Sequence, residues 1–571
     1  MLRSIPRTLR AGTPDLPDVP PLVLAILGLF LAPILAWFSD QVYRLVLTRC
    51  ASHPLIRLAQ FYDPAALVAA CASYYHAPGT KGAPPTFTLD QLVRAEIVRA
   101  WADSCGDPDL EWLLASNLIA RWFVGLPLLG PTPDHSTLNR FHAWLTAHQP
   151  SAFFLHSLAF LDHVDPEPPA TTPQIVDTFA MASPAAPTPS ASHLLGQLTL
   201  RLLQLWRTQA PVPLPAALPP LDPDVLRHPQ RWRTTLERQQ QLQTAVQTAR
   251  HLAACFTLHL TALAPPDQAS AQILISAIHK VIADETSTDA SGLIQERPNE
   301  KKGTYRLMSA IDLEATFRKH EGSPAVFGTN AVLSTTATRI RAAVALTGST
   351  PDSEAPAAVI RQLQATNQPL PADLIMDQAG GWGKSRAQVL ALSAGQTQVV
   401  AYIPQSGGAD LSRFTPADFQ VDAERTACTC PGGVTSTKVY ASGDGDGVHF
   451  RFLASQCREC PLWTDCRGAE SNPKGHRTVF VSDYHSVLRA AARFNATEAG
   501  KLLLKGRWRV EPTIAWLVRY QGCRSARRVG LAAAQCQLFQ ACAVRNLLLW
   551  LSRLDRGLAR SPDAALRERS A

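Results

Sequence analysis

Glu511 stands among cations. Lys501, Lys505, Arg507 and Arg509 precede it, and Arg519, Arg524, Arg527 and Arg528 follow. A carboxylate so placed can bind a divalent metal while its basic neighbours hold a polyanion. The plainer reading is an amphipathic helix with a solvated charged face, because Leu502, Leu503 and Leu504, then Trp516, Leu517 and Leu531, could line an apolar side. A second carboxylate closes the run Leu374-Ile375-Met376-Asp377, ahead of Gly380, Gly381 and Gly383. Sheets of α/β proteins gather ligands at strand ends, and glycines there let a metal or DNA approach the backbone. A strand cap with a tight turn explains the same residues. A third carboxylate, Asp177, follows the β-formers Ile175 and Val176, which suits a strand end but is also common in turns. Asp289 and Asp312 are its rivals, ranked lower because polar or helical sequence surrounds them.

Sulfur supplies the other chemistry. Five of the 12 cysteines, Cys428, Cys430, Cys457, Cys460 and Cys466, fall in one short span. Cys457-Arg458-Glu459-Cys460 places two thiolates on one ion through a tight turn, and Zn²⁺ takes four such ligands. Cys430, Cys457, Cys460 and Cys466 form the preferred set, and Cys428 can substitute. Four cysteines leave no open position, so the expected Zn²⁺ is structural and pins a hairpin such as Val439 to Phe452. Reduced, partly buried thiols are the alternative.

The elements that must position these groups are readable in outline. The chain has 571 residues, enough for two or three domains, and 45 prolines that predict long connections. Charged residues are 18%, below the usual quarter, which excludes wholesale disorder. The net charge of +8 permits a nucleic-acid partner. Val19 to Phe38 is almost wholly apolar, behind Arg3, Arg7 and Arg10. Its length suits a membrane segment, but Pro20, Pro21 and Pro33 interrupt it, so a buried or partner-packed helix is preferred. The spacing predicts a helix from Leu89 to Cys105, with Leu92, Val93, Ile97, Val98 and Trp101 on one face, and another over Asp109 to Leu118. Asp134 or Ser136 can cap the helix that follows. These short helices read either as a helix-turn-helix-like module with Arg140 and His142 near DNA, or as a plain bundle. Pro211 to Pro223 reads as a linker inside a helical region, where Leu242, Val246, Ala249, Ala253 and Phe256 keep helical spacing. Ala325 to Thr335, Arg339 to Leu346 and Thr397 to Ile403 read as strands.

The phrase Ala120-Arg121-Trp122-Phe123-Val124-Gly125-Leu126, then Pro133-Asp134-His135-Ser136-Thr137-Leu138-Asn139-Arg140-Phe141, resembles the N-terminal domain of bacterial insertion-sequence transposases, the DDE transposases. The resemblance runs from Gln60 to Leu551. It implies an α/β catalytic core of ribonuclease-H-like type with a large helical insertion, plus an N-terminal all-α domain and a small Cys-rich insertion. The expected division is an apolar segment 1–58, a helical DNA-binding domain 59–165, core 166–192, helical insertion 193–285, core 286–425, Cys-rich zinc-binding insertion 426–482, core 483–552 and tail 553–571. The family's acidic positions fall on Asp177, Asp377 and Glu511, the last in an Arg-x-x-x-Glu phrase begun by Arg507. Its basic segment matches Gly522, Arg524, Arg527, Arg528, Gly530 and Leu531, and its closing helix matches Ala543 to Leu548 around Asn546. The three carboxylates would share two Mg²⁺ (or Mn²⁺) ions for strand cleavage and strand transfer. Arg140, Arg507, Arg509, Arg519, Arg524, Arg527 and Arg528 are then expected on DNA, with Arg507, Arg509 and Arg519 positioning phosphates. The implied partners are double-stranded DNA, as terminal inverted repeats and target, and a second copy in a homodimer. A cytoplasmic, nucleoid-associated protein is expected, with no membrane partner. Val518 stands where many relatives carry Lys, with Arg519 beside it, and Ile514 and Ala515 replace an aromatic and a glycine. On that ground a catalytically degenerate DNA-binding relative is one alternative, and a metal-dependent nuclease is another.

Overall fold

The computed structural model describes residues 21–75, 85–168, 172–188, 190–209, 234–303, 305–319, 322–404, 413–443, 445–468, 470–472 and 474–560. Arg3, Arg7, Arg10, Val19, Pro20, the linker 211–223 and the tail beyond Arg560 lie outside these residues.

Six strands form the central sheet, the short Thr316–Arg318 together with β1 (Gln174–Ala182), β2 (Val326–Thr335), β3 (Ile340–Thr347), β4 (Asp373–Ile375) and β5 (Gln398–Val400). Their order is β3-β2-β1-β4-β5, with Thr316–Arg318 extending the β3 edge along β2. β1, β2 and β3 pair antiparallel, whereas β4 and β5 run parallel to β1. This mixed architecture is consistent with a ribonuclease-H-like core. Alternation along β1 gives the sheet two buried faces. Val176 packs with Val359, Ile360 and Leu363 of the helix Ala355–Ala365. Phe179 and Met181 pack on the opposite side against Leu538, Phe539 and Cys542 of the helix Leu531–Asp555.

That C-terminal helix is shared between two cores. Its Val544, Leu547, Trp550 and Leu551 enter the apolar cluster of the N-terminal helices. The helix Leu89–Trp101 starts with a capping box between Thr88 and Gln91. It stops short of the predicted Cys105 because Asp103 and Ser104 adopt left-handed backbone at φ 60° and 45°. Asp134 caps the helix His135–His148 by accepting from Thr137 N at 2.6 Å. The expected boundary at 58/59 cuts the helix Pro54–Phe61, whose Leu55 and Leu58 belong to this same cluster.

Between β1 and β2 the chain makes a helical unit from Ala191–Gln209, Thr235–Leu258 and Pro265–Glu285. Ile294, Leu307 and Ala310 join its core, so the insertion runs past the expected boundary at 285. The Cys-rich unit begins earlier than 426, because Gln420–Val421 pairs with Cys428–Thr429. Its second sheet joins Val439–Ala441, Gly447–Phe452 and Arg477–Ser482.

Among the described residues no single helix is long and apolar enough to cross a membrane. The bent pair Pro54–Phe61 and Ala65–Tyr74 passes by length and composition, but its Leu55, Leu58 and Leu67 are core residues. The helix Pro21–Arg49 takes up most of the predicted apolar stretch. It is tied to the N-terminal unit where Tyr43 Oη donates to Leu126 O at 2.8 Å.

Candidate active site

Asp177 lies in the middle of β1, not at its end as its local sequence suggested. Pairing with β2 continues to Ala182, which keeps the strand going. The β4 side is different. There Gln174 pairs with Leu374 and Ile175 with Ile375, and the ladder stops. Carried on for two residues, the same register sets Asp177 beside Asp377. Asp377 follows β4 and caps the turn Gln378–Gly381, accepting from Ala379 N at 3.0 Å. The short β4 therefore leaves that side of β1 unpaired from Val176 onward, where both carboxylates stand.

Glu511 is brought to the same place by packing. Val510 is fully buried with Leu504 against Ile175, Ile375 and Val400, which seats the turn Arg507–Val510 on the ends of β1, β4 and β5. Glu511 then opens the helix Glu511–Tyr520, exposed, with Arg507 one turn before it at 3.7 Å. Leu517 anchors that helix in the cluster beneath. Burial holds the Asp177 carboxyl above the usual aspartate range, partly offset by its bond from Thr178 N and by Arg507, and Asp377 and Glu511 push it further up. Asp177 thus feels the charge of both other acids. Among the described residues, however, no three His, Cys, Asp or Glu stand grouped as a metal-holding set. The donor chemistry fits a hard divalent cation, since the acids are oxygen donors whose repulsion a cation would relieve.

The glycines after Asp377 serve packing. A Cβ on Gly381 would meet Tyr402 O at 1.9 Å, and one on Gly380 would meet Met376 Sδ at 2.8 Å. They admit the protein's own backbone and side chains, not the metal or DNA anticipated from sequence. Arg386, which the sequence reading missed, holds this turn to β5. It is 3% exposed and donates to Gly381 O, Val399 O and Ala401 O. Burial without a carboxylate lowers its pKa to about 10. Only its place in the run Gly383–Leu392 marked it, and an arginine on a helix ordinarily reads as surface.

The predicted DNA contacts separate into two groups. Arg509, Arg519 and Arg524 are exposed, and Arg507 is half-buried beside Glu511. Arg509 and Trp508 line a cavity of about 200 Å³ against Thr336, Ala337 and Arg339 at the β2–β3 turn. Arg140 is exposed and donates to Thr137 Oγ1. Arg527, exposed, and Arg528, half-buried, bond to the N-terminal unit. Arg527 donates to Ser104 O at 2.9 Å, and Arg528 to Asp107 and Asn139 at 2.7 and 2.6 Å. His142, placed near DNA by the sequence reading, is buried, with its Nδ1 2.8 Å from Glu96 Oε2. The apolar spacing of its helix could have revealed this, since Leu138, Phe141 and Leu145 bury the same side. The rival carboxylates are likewise engaged. Asp312 accepts from Ser183 Oγ at 2.6 Å, and Asp289 from Ser291 N and Leu293 N within its own turn. Asn546 brackets Ile340 through both its backbone N–H and C=O, at 2.7 and 2.9 Å, which ties the closing helix to β3.

Cys430, Cys457, Cys460 and Cys466 line one cavity of about 30 Å³ with Phe414 and Phe419. A Cβ on Gly432 would stand 3.1 Å from Cys460 Sγ and 3.7 Å from Cys430 Sγ, so both thiols lie close about this glycine. Burial raises the Cys457 and Cys466 thiols, and the neighbouring sulfurs add to it. Cys428 lies fully buried in the sheet, where burial pushes it up to about 11.

Residues 429–549 match the family model described as "Transposase DDE domain", and residues 46–143 match "Transposase domain (DUF772)". The first match takes in most of the Cys-rich unit, Glu511 and most of the closing helix, and neither reaches Asp177 or Asp377. No curated protein and no solved structure matches the chain. The two matches support a DNA-acting enzyme of transposase type, similar to transposases over its N-terminal helical unit and again from the Cys-rich unit to the C-terminal helix.

Proposed function

We propose that the chain is a DDE transposase of insertion-sequence type, which cleaves DNA at the element's ends and transfers the strand to target DNA. What supports this reading is that Asp377 and Glu511 both act on the Asp177 carboxyl, beside the stretch of β1 that β4 leaves unpaired. Asp177, Asp377 and Glu511 would hold two Mg²⁺ or Mn²⁺ ions, which when bound activate a water or 3′-hydroxyl and stabilise the leaving oxygen. The protein's own part is orientation. Arg386 fixes the turn of Asp377 against β5, and Val510 and Leu517 fix the helix of Glu511. Arg507 opposes part of the rise in the Asp177 pKa by its charge. Arg507, Arg509 and Arg519 contact phosphates, with Arg140 and Arg524 further along the duplex. Val518 packs inward beside Leu517, so the solvent-facing cation of that turn is Arg519. Arg527 and Arg528 act by positioning the basic segment against the N-terminal unit. Two copies on paired ends form the working assembly, in a cytoplasmic, nucleoid-associated setting.

The test is Mg²⁺- or Mn²⁺-dependent cleavage of DNA carrying the element's own ends, with wild type and Asp377→Asn run together. Cleavage by wild type alone is expected, followed by joining to target DNA. Cleavage without joining would leave a nuclease. End binding with no cleavage by either protein would leave a degenerate DNA-binding relative.

Cys430, Cys457, Cys460 and Cys466 would hold one structural Zn²⁺, whose role is to stabilise a unit with a small core of its own. Cys460→Ser is expected to abolish stoichiometric zinc in the purified protein and to open the 414–482 segment to protease. Full zinc content in that variant would refute the assignment, and zinc lost only from Cys428→Ser would move the ligand there.

A further inference from the structure

The helix His485–Ala496 leaves the last strand of the Cys-rich sheet and leads towards Glu511. Its far end is part of the carboxylate site's support. Phe494 packs with Ile175, Ile375, Val400 and Val510, and Asn495 Nδ2 donates to Ala401 O at 2.9 Å. Four-residue steps along one helix face advance about 6 Å each. His485, Arg489 and Arg493 therefore make a ladder from the Cys-rich unit to the carboxylates.

This ladder is one wall of an open cleft of about 420 Å³, and the turn of Val421, Asp422 and Arg425 with Asp483 is the other. The acids of the cleft are already engaged. Asp422 accepts from Thr426 N and Ala427 N at 2.7 and 2.9 Å, and Asp483 pairs with Arg425. Arg489 and Arg493 meet no carboxylate among the described residues. The Nε2 atom of His485 is buried there without a hydrogen-bond partner. Two successive guanidinium groups one helical turn apart, in an open cleft, suit consecutive phosphates better than a single small anion. The cleft has no array of amide side chains with which to read bases.

We propose that this cleft holds the phosphodiester backbone of the DNA strand that runs away from Asp177, Asp377 and Glu511, with Arg489 and Arg493 as its phosphate contacts. The proposal rests on reading the three carboxylates as a phosphodiester-cleaving centre. It adds a sequence-independent track between that centre and the Cys-rich unit, and makes that unit a wall of the DNA path.

The test is equilibrium binding of a fluorescein-labelled DNA duplex of arbitrary sequence over a range of KCl concentrations. Wild type, Arg489→Gln/Arg493→Gln and Arg489→Lys/Arg493→Lys are compared as full chains. For two lost phosphate contacts the slope of log K against log salt should become shallower by about 1.8 in the glutamine variant. The lysine variant should keep the wild-type slope, because charge and not fork geometry sets it. Equal slopes and affinities for wild type and the glutamine variant would overturn the proposal alone. So would an equal loss in both variants, which would mark a structural role. A wild type with no salt-dependent DNA binding would instead remove the functional reading, and this proposal with it.

Discussion

Asp177→Asn should lower Mg²⁺-dependent DNA cleavage by about three orders of magnitude or more, as loss of one member of a catalytic unit does. The same change should raise the thermal unfolding midpoint at neutral pH in metal-free buffer. Both effects come from one cause. Burial raises the Asp177 pKa, Thr178 N–H and Arg507 partly offset this, and Asp377 and Glu511 add to the rise. A carboxyl raised in the folded state contributes stability that is full below its unfolded value and is lost as pH rises through the folded one. At neutral pH the ionised Asp177 is therefore a cost, which the neutral, isosteric asparagine removes. Added Mg²⁺ should reverse the order, because a cation that binds only the folded state stabilises wild type by mass action. The reversal is the distinctive result. If Mg²⁺ stabilised both proteins equally, or if the variant melted lower without metal, the three acids would not be a cation site.

How much of this was legible in the sequence depends on what each residue answers to. Asp377 and the strand before it were readable because an apolar run ending in a carboxylate and glycines is a local pattern. Asp177 was singled out from a local pattern, but its setting was misjudged. Its strand continues for five residues because β2 pairs with all of them, and no local pattern reports a partner 150 residues on. Arg386, Arg527 and Arg528 show the same limit. Each looks like free surface charge in sequence, and each bonds to carbonyls or carboxylates brought from elsewhere in the chain, although only Arg386 is buried. The glycines at 380 and 381 were recognised as sites of close approach, yet what approaches is Met376 and the end of β5. The helix around Leu242 to Phe256 was legible from periodicity, because its apolar face packs on the neighbouring helices of the same unit. The shared C-terminal helix was not foreseen as a spine, since Leu531–Asp555 buries opposite sides in two different cores.

That spine carries the second large effect. Glu96 is fully buried and accepts from Arg99 Nε at 3.0 Å and from Gln540 Nε2 at 3.0 Å, with His142 Nδ1 at 2.8 Å. Arg99 also reaches Asp107 at 2.8 Å, and Asp107 pairs in turn with Arg528 at 2.7 Å. The network joins three helices of the N-terminal unit to the C-terminal helix and to the basic segment before it. Burial alone would raise the Glu96 pKa, but Arg99 and His142 outweigh it and hold it at about 2. Glu96→Ala leaves Arg99 and Gln540 short of an acceptor in the interior, and breaking a buried pair from one side costs about 3–5 kcal/mol. Removing both charges is milder, so Glu96→Leu/Arg99→Met should recover part of the loss. The measurement is urea unfolding followed by tryptophan fluorescence, since Trp101, Trp122 and Trp144 pack in this unit. The pH dependence has a definite sign. A glutamate depressed in the folded state gives stability that is present above its unfolded pKa and is lost as pH falls through the folded one. Wild type and Glu96→Gln should therefore keep a constant gap above the ordinary value of 4.5 and converge only as pH falls towards about 2. A variant that unfolds with the wild-type midpoint would mean that the N-terminal unit is held to the sheet by apolar packing alone. The orientation of the helix bearing Glu511 would then owe nothing to the buried charges, because Leu517 and Leu538 share one cluster without them.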